Sequence, residues 1–509
     1  MRCDVDYIIK IFNQIEDDFP VNELTYCGYN IWPYIRLRIL NQLNGDLNRD
    51  AFNTHDNFNW LGSWFALNKN RNLLKDIWLK SKVLNNKSGF EDFPVKSDTV
   101  FLSETFRRNE KISGKSINRV IDPVANLMYE IGKSVTTLEY NNLQIPPQPS
   151  AKVYNIQYFL NEADYNLSRS EYLNRLFCVR RNVILNFYDF EKYISKNFPN
   201  LFNLNEKHFA DRFGHILFYK DAFKKILRRL KPKFFFLVCF YGEIPMAASL
   251  ACHELNIRSI ELQHGQQGDF HPMYTNWTCI PKNSKYELLP DIFWTWGVSS
   301  NNRIMKWAKD TLHTAIPGGN AWIDYSNRWI NTSNDTFFYL KKLKEKISKK
   351  KSILFTLQPV EFCLPEFILE TIKETQSEFF WLFRMHPVMK SKKEEILSKL
   401  NDFGIINFEI DISSEISLYP LFSFVDFHVT LWSSVAIEAQ LFNVKTIIAH
   451  EYGYLSMKNY CESNVFGYAN TKDDLLQLLK LDFAKKDISI PYIIHDSEYI
   501  KTKLSHLFS

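Results

Sequence analysis

The chain has 509 residues, 45% of them hydrophobic and 23% charged. That is an ordinary globular composition, too long for one hydrophobic core, so two domains are expected. A net charge of +5 is small for this length and speaks against a nucleic-acid-binding protein, and eight cysteines set singly, with no C-x-x-C, speak against a zinc site or a disulfide framework.

Residues 1–95 read as polar and mostly helical, with Asn-rich connections and a helix at 31–40 that carries Pro33 in its first turn. Neither residues 1–6 nor any later stretch forms an apolar run of membrane-spanning length, which predicts a cytoplasmic protein, at most peripheral at the inner face of a membrane. A strand-helix rhythm begins at 98–103. It passes through a helix at 123–131, with Asp122 as its cap and Gly132 as its stop, into a strand at 134–138. Further strands are expected at 182–187, 234–240, 259–262 and 292–296. Alternation of this kind calls for a parallel sheet covered by helices. The aromatic content of 16%, with 42 Phe and 25 Tyr, lies largely in such runs and reads as core.

Pro317-Gly318-Gly319-Asn320 breaks the rhythm, and the domain boundary is expected within 317–350. A second alternation follows, with strands at 352–357, 379–383, 405–409, 424–430 and 446–450. Helices are expected at 365–375, 392–400, 415–421 and 435–442, and at 472–479 behind the capping pair Thr471-x-x-Asp474. The prediction is an α/β protein with two Rossmann-like domains, 96–330 on the acceptor side and 331–509 on the nucleotide side, behind a helical extension over 1–95. A ligand cleft between the two domains is expected. Two Lys/Arg-rich stretches, 223–233 and 341–351, read as solvated helix faces. The first also carries an apolar stripe, which makes it the candidate contact for anionic lipid or a lipid-linked acceptor.

Four groups of residues sit where strands end. Arg384, His386 and Pro387 close one strand: Arg offers a forked donor pair for phosphate, His can hydrogen-bond or protonate a leaving phosphate oxygen, and Pro stops the strand where a ligand loop would start. Thr430, Ser433 and Ser434 precede the helix that carries Glu438. One serine serves as a cap, the second is spare for a phosphate, and Glu438 can accept from ribose hydroxyls. In the first domain, Gln263-His264-Gly265-Gln266-Gln267-Gly268 follows a strand and places His264 as a base, with Asp269 and His271 as weaker candidates. Glu243 follows Tyr241-Gly242 at a helix start, where it can orient His264, be the base itself, or simply favour the helix dipole. The chain lacks a P-loop, a G-x-G-x-x-G and an H-E-x-x-H, and no D-x-D clamp stands beside these groups, so leaving-group charge would be met without a metal.

Arg384-Met385-His386-Pro387 followed by Trp432-Ser433-Ser434 resembles the His-Pro and Ser-Ser/Thr motifs of GT-B glycosyltransferases that use CMP-activated sialic acids or Kdo. The same order resembles the CDP-glycerol glycerophosphotransferases of teichoic acid synthesis. Leu262-Gln263-His264-Gly265 resembles the His-Gly loop of that wider capsule and teichoic-acid group, and Gly318-Gly319-Asn320 its glycine turn near the hinge. The resemblance implies a nucleotide-linked donor, CMP-linked first of all, as substrate and not as a bound cofactor. His386, Ser433 and Ser434 would hold its phosphate, and a glycan hydroxyl would be the acceptor in polysaccharide biosynthesis of the capsule or lipopolysaccharide kind. It leaves His264 and Glu243 competing as base. Polyol-phosphate transfer, UDP-sugar transfer and UDP-sugar 2-epimerisation stay open on the same fold.

Overall fold

The computed structural model describes residues 5–45, 93–112, 115–141, 153–176, 183–199, 204–265, 267, 271–330, 334–360, 362–480 and 493–509. The chain divides into two compact units. The first comprises Met1–Arg108, Lys115–Ala321 and His495–Ser509, and the second Asn109–Gly114 and Trp322–Ile494.

The first unit is built on seven strands: β1 (Thr99–Glu104), β2 (Val135–Tyr140), β3 (Val153–Asn155), β4 (Phe234–Val238), β5 (Arg258–Leu262), β6 (Ile292–Thr295) and β7 (Thr314–Pro317). Their spatial order is β7-β6-β5-β4-β1-β2-β3 and every pairing is parallel. The chain runs outward from β1 to β3 and then crosses to β4 on the other side of β1. Loops that leave the strands on either side of such a reversal diverge and open a crevice above the sheet. β4, Phe-Phe-Phe-Leu-Val, is buried at every residue, as a strand covered on both faces must be.

Helices α1 (Val5–Asp18), α2 (Trp32–Gly45), α3 (Asp122–Glu130), α4 (Gln157–Leu176), α5 (Phe187–Asn197), α6 (Glu206–Leu230), α7 (Glu243–Glu254) and α8 (Val298–Ala308) surround this sheet. The N-terminal helices are part of its core: Phe12, Ile15, Trp32 and Ile35 are all fully buried there. They also fasten a loop. Arg36 pairs with Glu16 at zero exposure, donates to the carbonyls of Pro272 (2.9 Å) and Thr275 (3.1 Å), and stacks over Trp277 at 4.1 Å. Glu16 in turn accepts from the Thr278 amide at 2.7 Å. The described helices of the N-terminal stretch, α1 and α2, thus clamp the segment after His271.

The second unit is built on a six-stranded sheet of β8 (Lys351–Thr356), β9 (Phe379–Arg384), β10 (Phe408–Glu409), β11 (Phe427–Thr430), β12 (Lys445–Ile448) and β13 (Phe466–Tyr468). They are all parallel, in the order β10-β9-β8-β11-β12-β13. Numbered within their own units, both sheets share the strand order 3-2-1-4-5-6 of Rossmann-like domains, with the reversal here between β8 and β11. The helices of this part are α9 (Ala321–Ile330), α10 (Asn334–Ile347), α11 (Glu366–Thr375), α12 (Lys393–Asp402), α13 (Asp411–Glu415), α14 (Leu418–Phe422), α15 (Val435–Gln440), α16 (Glu451–Ser456), α17 (Lys458–Glu462) and α18 (Lys472–Lys480). The Thr471–Asp474 cap of α18 forms: the Asp474 amide donates to Thr471 Oγ1 at 3.2 Å, and that hydroxyl donates to Asp474 Oδ2 at 2.6 Å. The last helix, α19 (Ser497–Phe508), returns to the first unit, where Ile500 and Leu504 bury beside α3 on the second face of its sheet. Two Rossmann-like units in one chain are the composition of the GT-B fold class. Among the described residues no helix is long and apolar enough to cross a membrane.

Several local expectations give way. The described part of 182–187 is no strand: the Ile184 amide is taken by Glu206 Oε1 and the Leu185 amide by Thr25 O, both at 2.9 Å, and Asn186 turns at φ +59° into α5. Asp122 does not cap α3; its carboxylate holds Arg108 at 2.7 and 3.1 Å and accepts the Asn118 amide at 3.0 Å. The expected helix at 415–421 splits into α13 and α14 because Ile416 is extended, its carbonyl held by Arg384. The units part between Ala321 and Trp322, inside the 317–350 span named for the boundary, and Trp322 packs on Tyr325 and Tyr419 of the second unit. Just before that point a Cβ on Gly318 would stand 1.8 Å from the Trp294 ring, so glycine is required. The basic stretch 223–233 ends α6, and its apolar stripe, Phe223, Ile226, Leu227 and Leu230, is core. It is therefore not a lipid-facing surface.

Candidate active site

In the second unit, three loops leave the central strands together. Phe362 follows β8, Trp432 follows β11, and His450 follows β12. Their rings form one group: Phe362 stacks on His450 at 5.4 Å with 20° between planes, and Trp432 lies 5.9 Å from Phe362 and 4.9 Å from His450. Tyr452 joins Trp432 at 5.3 Å. Phe362 and Tyr452 are 43% and 38% exposed, which leaves apolar ring surface open beside the β8/β11 reversal. Gly453 allows this loop its close approach, since a Cβ there would come within 1.9 Å of the Leu431 carbonyl.

Next to the rings is the serine turn. Thr430 is buried, donates to Thr356 O at 3.2 Å and accepts the Ser433 amide at 3.3 Å. Ser433 Oγ accepts the Val435 amide at 3.3 Å, while the Ser434 side chain makes no capping bond. One hydroxyl therefore shapes the turn and the other is not spent on capping. The helix behind it is short, Val435–Gln440, and ends earlier than expected. Glu438 on that helix is 1% exposed; Tyr419 Oη donates to its Oε2 at 2.6 Å, and its Oε1 is buried with no hydrogen-bond partner among the described residues.

Arg384 is placed differently from the expectation. Its Nη1 donates to the carbonyls of Ser413 (2.8 Å) and Ile416 (2.5 Å), so that nitrogen closes the end of α13 instead of offering itself to a phosphate. His386 is exposed just beyond β9, and its carbonyl accepts the Met389 amide at 2.8 Å as Pro387 opens a short 3-10 turn.

The first unit gathers titratable groups above the ends of β1, β4 and β5. Glu104, the last residue of β1, pairs with Arg107 at 2.9 Å, and Cys239 and Tyr241 follow β4. The Arg107 charge is opposed by its burial, but Glu104 beside it leaves its pKa raised. Glu261, the fourth residue of β5, is fully buried; Tyr274 Oη donates to its Oε1 at 2.6 Å and the Phe240 amide at 3.3 Å, while Oε2 has no partner among the described residues. Burial pushes the Glu261 carboxyl up to about 8, against the pull of those donors and of Arg107, so it is neutral at pH 7.

His264 lies just beyond, its Nδ1 4.0 Å from Glu261 Oε1 and without a hydrogen bond among the described residues. Burial, then Arg107, His271 and Arg119, hold its pKa well below the usual range, which keeps the imidazole neutral. His271 is lowered to about 4 by burial and lies against Tyr241 (5.2 Å) and Tyr274 (4.7 Å). The His-Gly loop is anchored at its start: Gln263 accepts the Trp296 amide at 2.6 Å and donates to Gly265 O at 2.8 Å. Asp269 lies outside the described residues. Glu243 is engaged elsewhere, held by Arg212 through two bonds of 2.8 Å and by Tyr34 at 3.2 Å.

The structure thus brings His264 together with Glu261, Arg107 and Tyr241, which sequence reasoning did not single out. In the sequence Glu261 is hidden by its apolar strand. A glutamate inside such a run is the signal that could have found it, since a buried carboxyl there needs a reason. The ring group of Phe362, Trp432, His450 and Tyr452 spans three loops far apart in sequence and has no local pattern.

No protein-family model and no curated protein matches the chain. Among solved structures it is similar to the UDP-GlcNAc 2-epimerase of Methanocaldococcus jannaschii, at 12% identity and a TM-score of 0.48 over 81% of this chain and 99% of that one. It is similar to the UDP-GlcNAc 2-epimerase of Neisseria meningitidis bound to UDP-GlcNAc, at 12% identity and a TM-score of 0.49 over the same shares, 81% and 99%. It is also similar to the wall teichoic acid polymerase TagF soaked with CDPG, at 13% identity and a TM-score of 0.38 over 86% and 90%. These values assign no residue roles, and the chemistry of this chain is argued from its own side chains.

Proposed function

We propose that the chain is a transferase that moves a sugar from a nucleotide-linked donor to a hydroxyl of a surface glycan, with the donor on the second unit and the base on the first. The observation that carries this reading is the pairing, on loops beside one sheet reversal, of an open aromatic surface with a serine turn. Aromatic faces take a nucleobase by stacking, and the Ser434 hydroxyl, not spent on capping, can donate to a phosphate. Glu438, with one buried oxygen unspent, fits a ribose hydroxyl donor. His386 is the group that would meet the leaving phosphate.

On the first unit, neutral His264 accepts the proton of the acceptor hydroxyl as its oxygen attacks the anomeric carbon. The bond from that carbon to the phosphate oxygen breaks, and the electron pair leaves with the nucleotide. Glu243 is bound to Arg212 and Tyr34, so His264 is the better base. The order His386-Pro387, then Ser433-Ser434, makes CMP-linked nonulosonic acids or Kdo the first donors to try, and a lipid-linked glycan a natural acceptor class.

The test is incubation of the protein with CMP-, CDP-, UDP- and GDP-linked donors, with and without a glycan acceptor. Transfer without phosphate in the new linkage supports the proposal. Phosphate in the linkage would mean polyol-phosphate transfer, and conversion of a UDP-sugar with no acceptor would mean epimerisation. Turnover of none would end the enzyme reading.

A further inference from the structure

Helix α10 has a face that the second unit leaves open. Leu343 and Ile347 anchor it at 0% and 8% exposure, while Phe337, Phe338 and Tyr339 in its first half stand 73%, 62% and 40% exposed. Phe338 and Tyr339 touch edge to face at 5.7 Å. Two adjacent phenylalanines at that exposure cost free energy in water, and a monomer seldom keeps them without a partner. Lysines continue from this group. Lys341, Lys342, Lys344, Lys346, Lys349 and Lys351 are all exposed, with Glu345 the one acid among residues 341–351.

We propose that this face of α10 is a docking surface for an anionic lipid bilayer, with Phe337 and Phe338 entering the headgroup layer and the lysines meeting the lipid phosphates. Bulky aromatics beside a polybasic stretch are the side chains such a surface selects, and the charge names the partner. The contrast within the chain is informative. Val183, Leu185 and Tyr188 are also exposed, at 61%, 58% and 74%, but Asp189 and Glu191 offset Lys192 and Lys196 beside them, so no basic stretch marks that place. The proposal also moves the membrane contact from the end of α6, whose apolar stripe is buried, to a helix whose aromatic residues are not. It stands apart from the catalytic reading, because it needs no turnover.

Flotation of the full-length protein with phosphatidylcholine vesicles, with and without about a third phosphatidylglycerol, tests it. The expected result is binding only to the anionic vesicles, weakened by salt. Phe337→Ser with Phe338→Ser should reduce binding at least tenfold, and Lys341→Glu or Lys342→Glu about fivefold or more each. All variants should keep the wild-type melting temperature within about 2 °C, since these side chains are exposed. Equal binding to neutral and anionic vesicles, or binding unchanged in the variants, would overturn the proposal. So would a wild-type dimer that the Phe337→Ser, Phe338→Ser protein converts to monomer, because the face would then belong to a second copy.

Discussion

At the scale of single residues, the sharpest consequence concerns Glu261. Its carboxyl, raised to about 8 by burial, is neutral through the physiological range and becomes a carboxylate 4.0 Å from His264 as the pH passes that value. A carboxylate at that distance favours the imidazolium and so makes His264 a stronger base. Arg107, Tyr241, Tyr274, Cys239 and His271 also face this pair, and Arg107 works in the opposite direction. The account predicts a rise in transfer rate through about pH 8 that Glu261→Gln lacks, with the variant about tenfold slower at pH 9 and nearly unchanged at pH 6. A pH-rate profile of both proteins decides it; identical limbs would remove Glu261 from the chemistry. His264 was legible because a histidine before glycine at a strand end stands out, whereas Glu261 was hidden by its apolar neighbours. Arg384 was legible as a residue, but the bonds of its Nη1 to carbonyls at the end of α13, some thirty positions on, were not.

At the scale of elements, the N-terminal helices tie the segment after His271 to the rest of the first unit through Arg36 and Glu16. Arg36→Met removes one partner of a pair at zero exposure and leaves Glu16 buried and uncompensated, at a cost of about 3–5 kcal/mol. Chemical denaturation should show that loss, and transfer should fall even at temperatures where the variant is folded. Nucleotide affinity should stay unchanged, since those loops lie in the other unit. Strands β4 and β9 could be read from the sequence because their runs are apolar almost throughout. The 182–187 run, although rich in β-branched residues, could not, because its amides are claimed by Glu206 and Thr25 instead of a neighbouring strand. The function of α1 and α2 was not legible for a similar reason: Arg36 acts on carbonyls more than two hundred residues away.

At the scale of the molecule, buried titratable groups set how stability follows pH. His264, His271, His313 and His428 are all held below the ordinary histidine range by burial, the last three at about 4, about 4 and about 3. Each is neutral when folded and binds a proton near 6.5 when unfolded, so the stability it lends at pH 7 is lost as the pH falls from 6.5 toward its folded value. The slope is about 1.4 kcal/mol per pH unit for each. Glu261 at about 8 and Glu139 at about 7 are raised carboxyls and act the other way, costing stability as the pH rises from the ordinary glutamate range to those values. Below 6.5 these histidines, joined by His208, which burial also lowers, outweigh the raised glutamates and Asp122, and above it the glutamates set the slope up to about 8. Denaturation midpoints measured from pH 5 to 9 should therefore peak between about 6 and 7. Glu261→Gln should flatten the alkaline side, and a stability still rising at pH 8 would contradict the assignment.

The alternation of strands and helices made both Rossmann-like units readable in advance. The return of α19 to the first unit was not, since it depends on packing by Ile500 and Leu504 and on no pattern in the final residues. The central claim is that one unit holds the nucleotide and the other supplies the base, and calorimetric titration of CMP, CDP and UDP into wild type and three variants tests it most directly. The account predicts binding of at least one of them, weakened about tenfold or more by Phe362→Ala and by the Ser433→Ala, Ser434→Ala pair. His264→Ala should bind that nucleotide like wild type yet transfer nothing. Binding that ignores Phe362 and the serines, or that fails in His264→Ala, would contradict it.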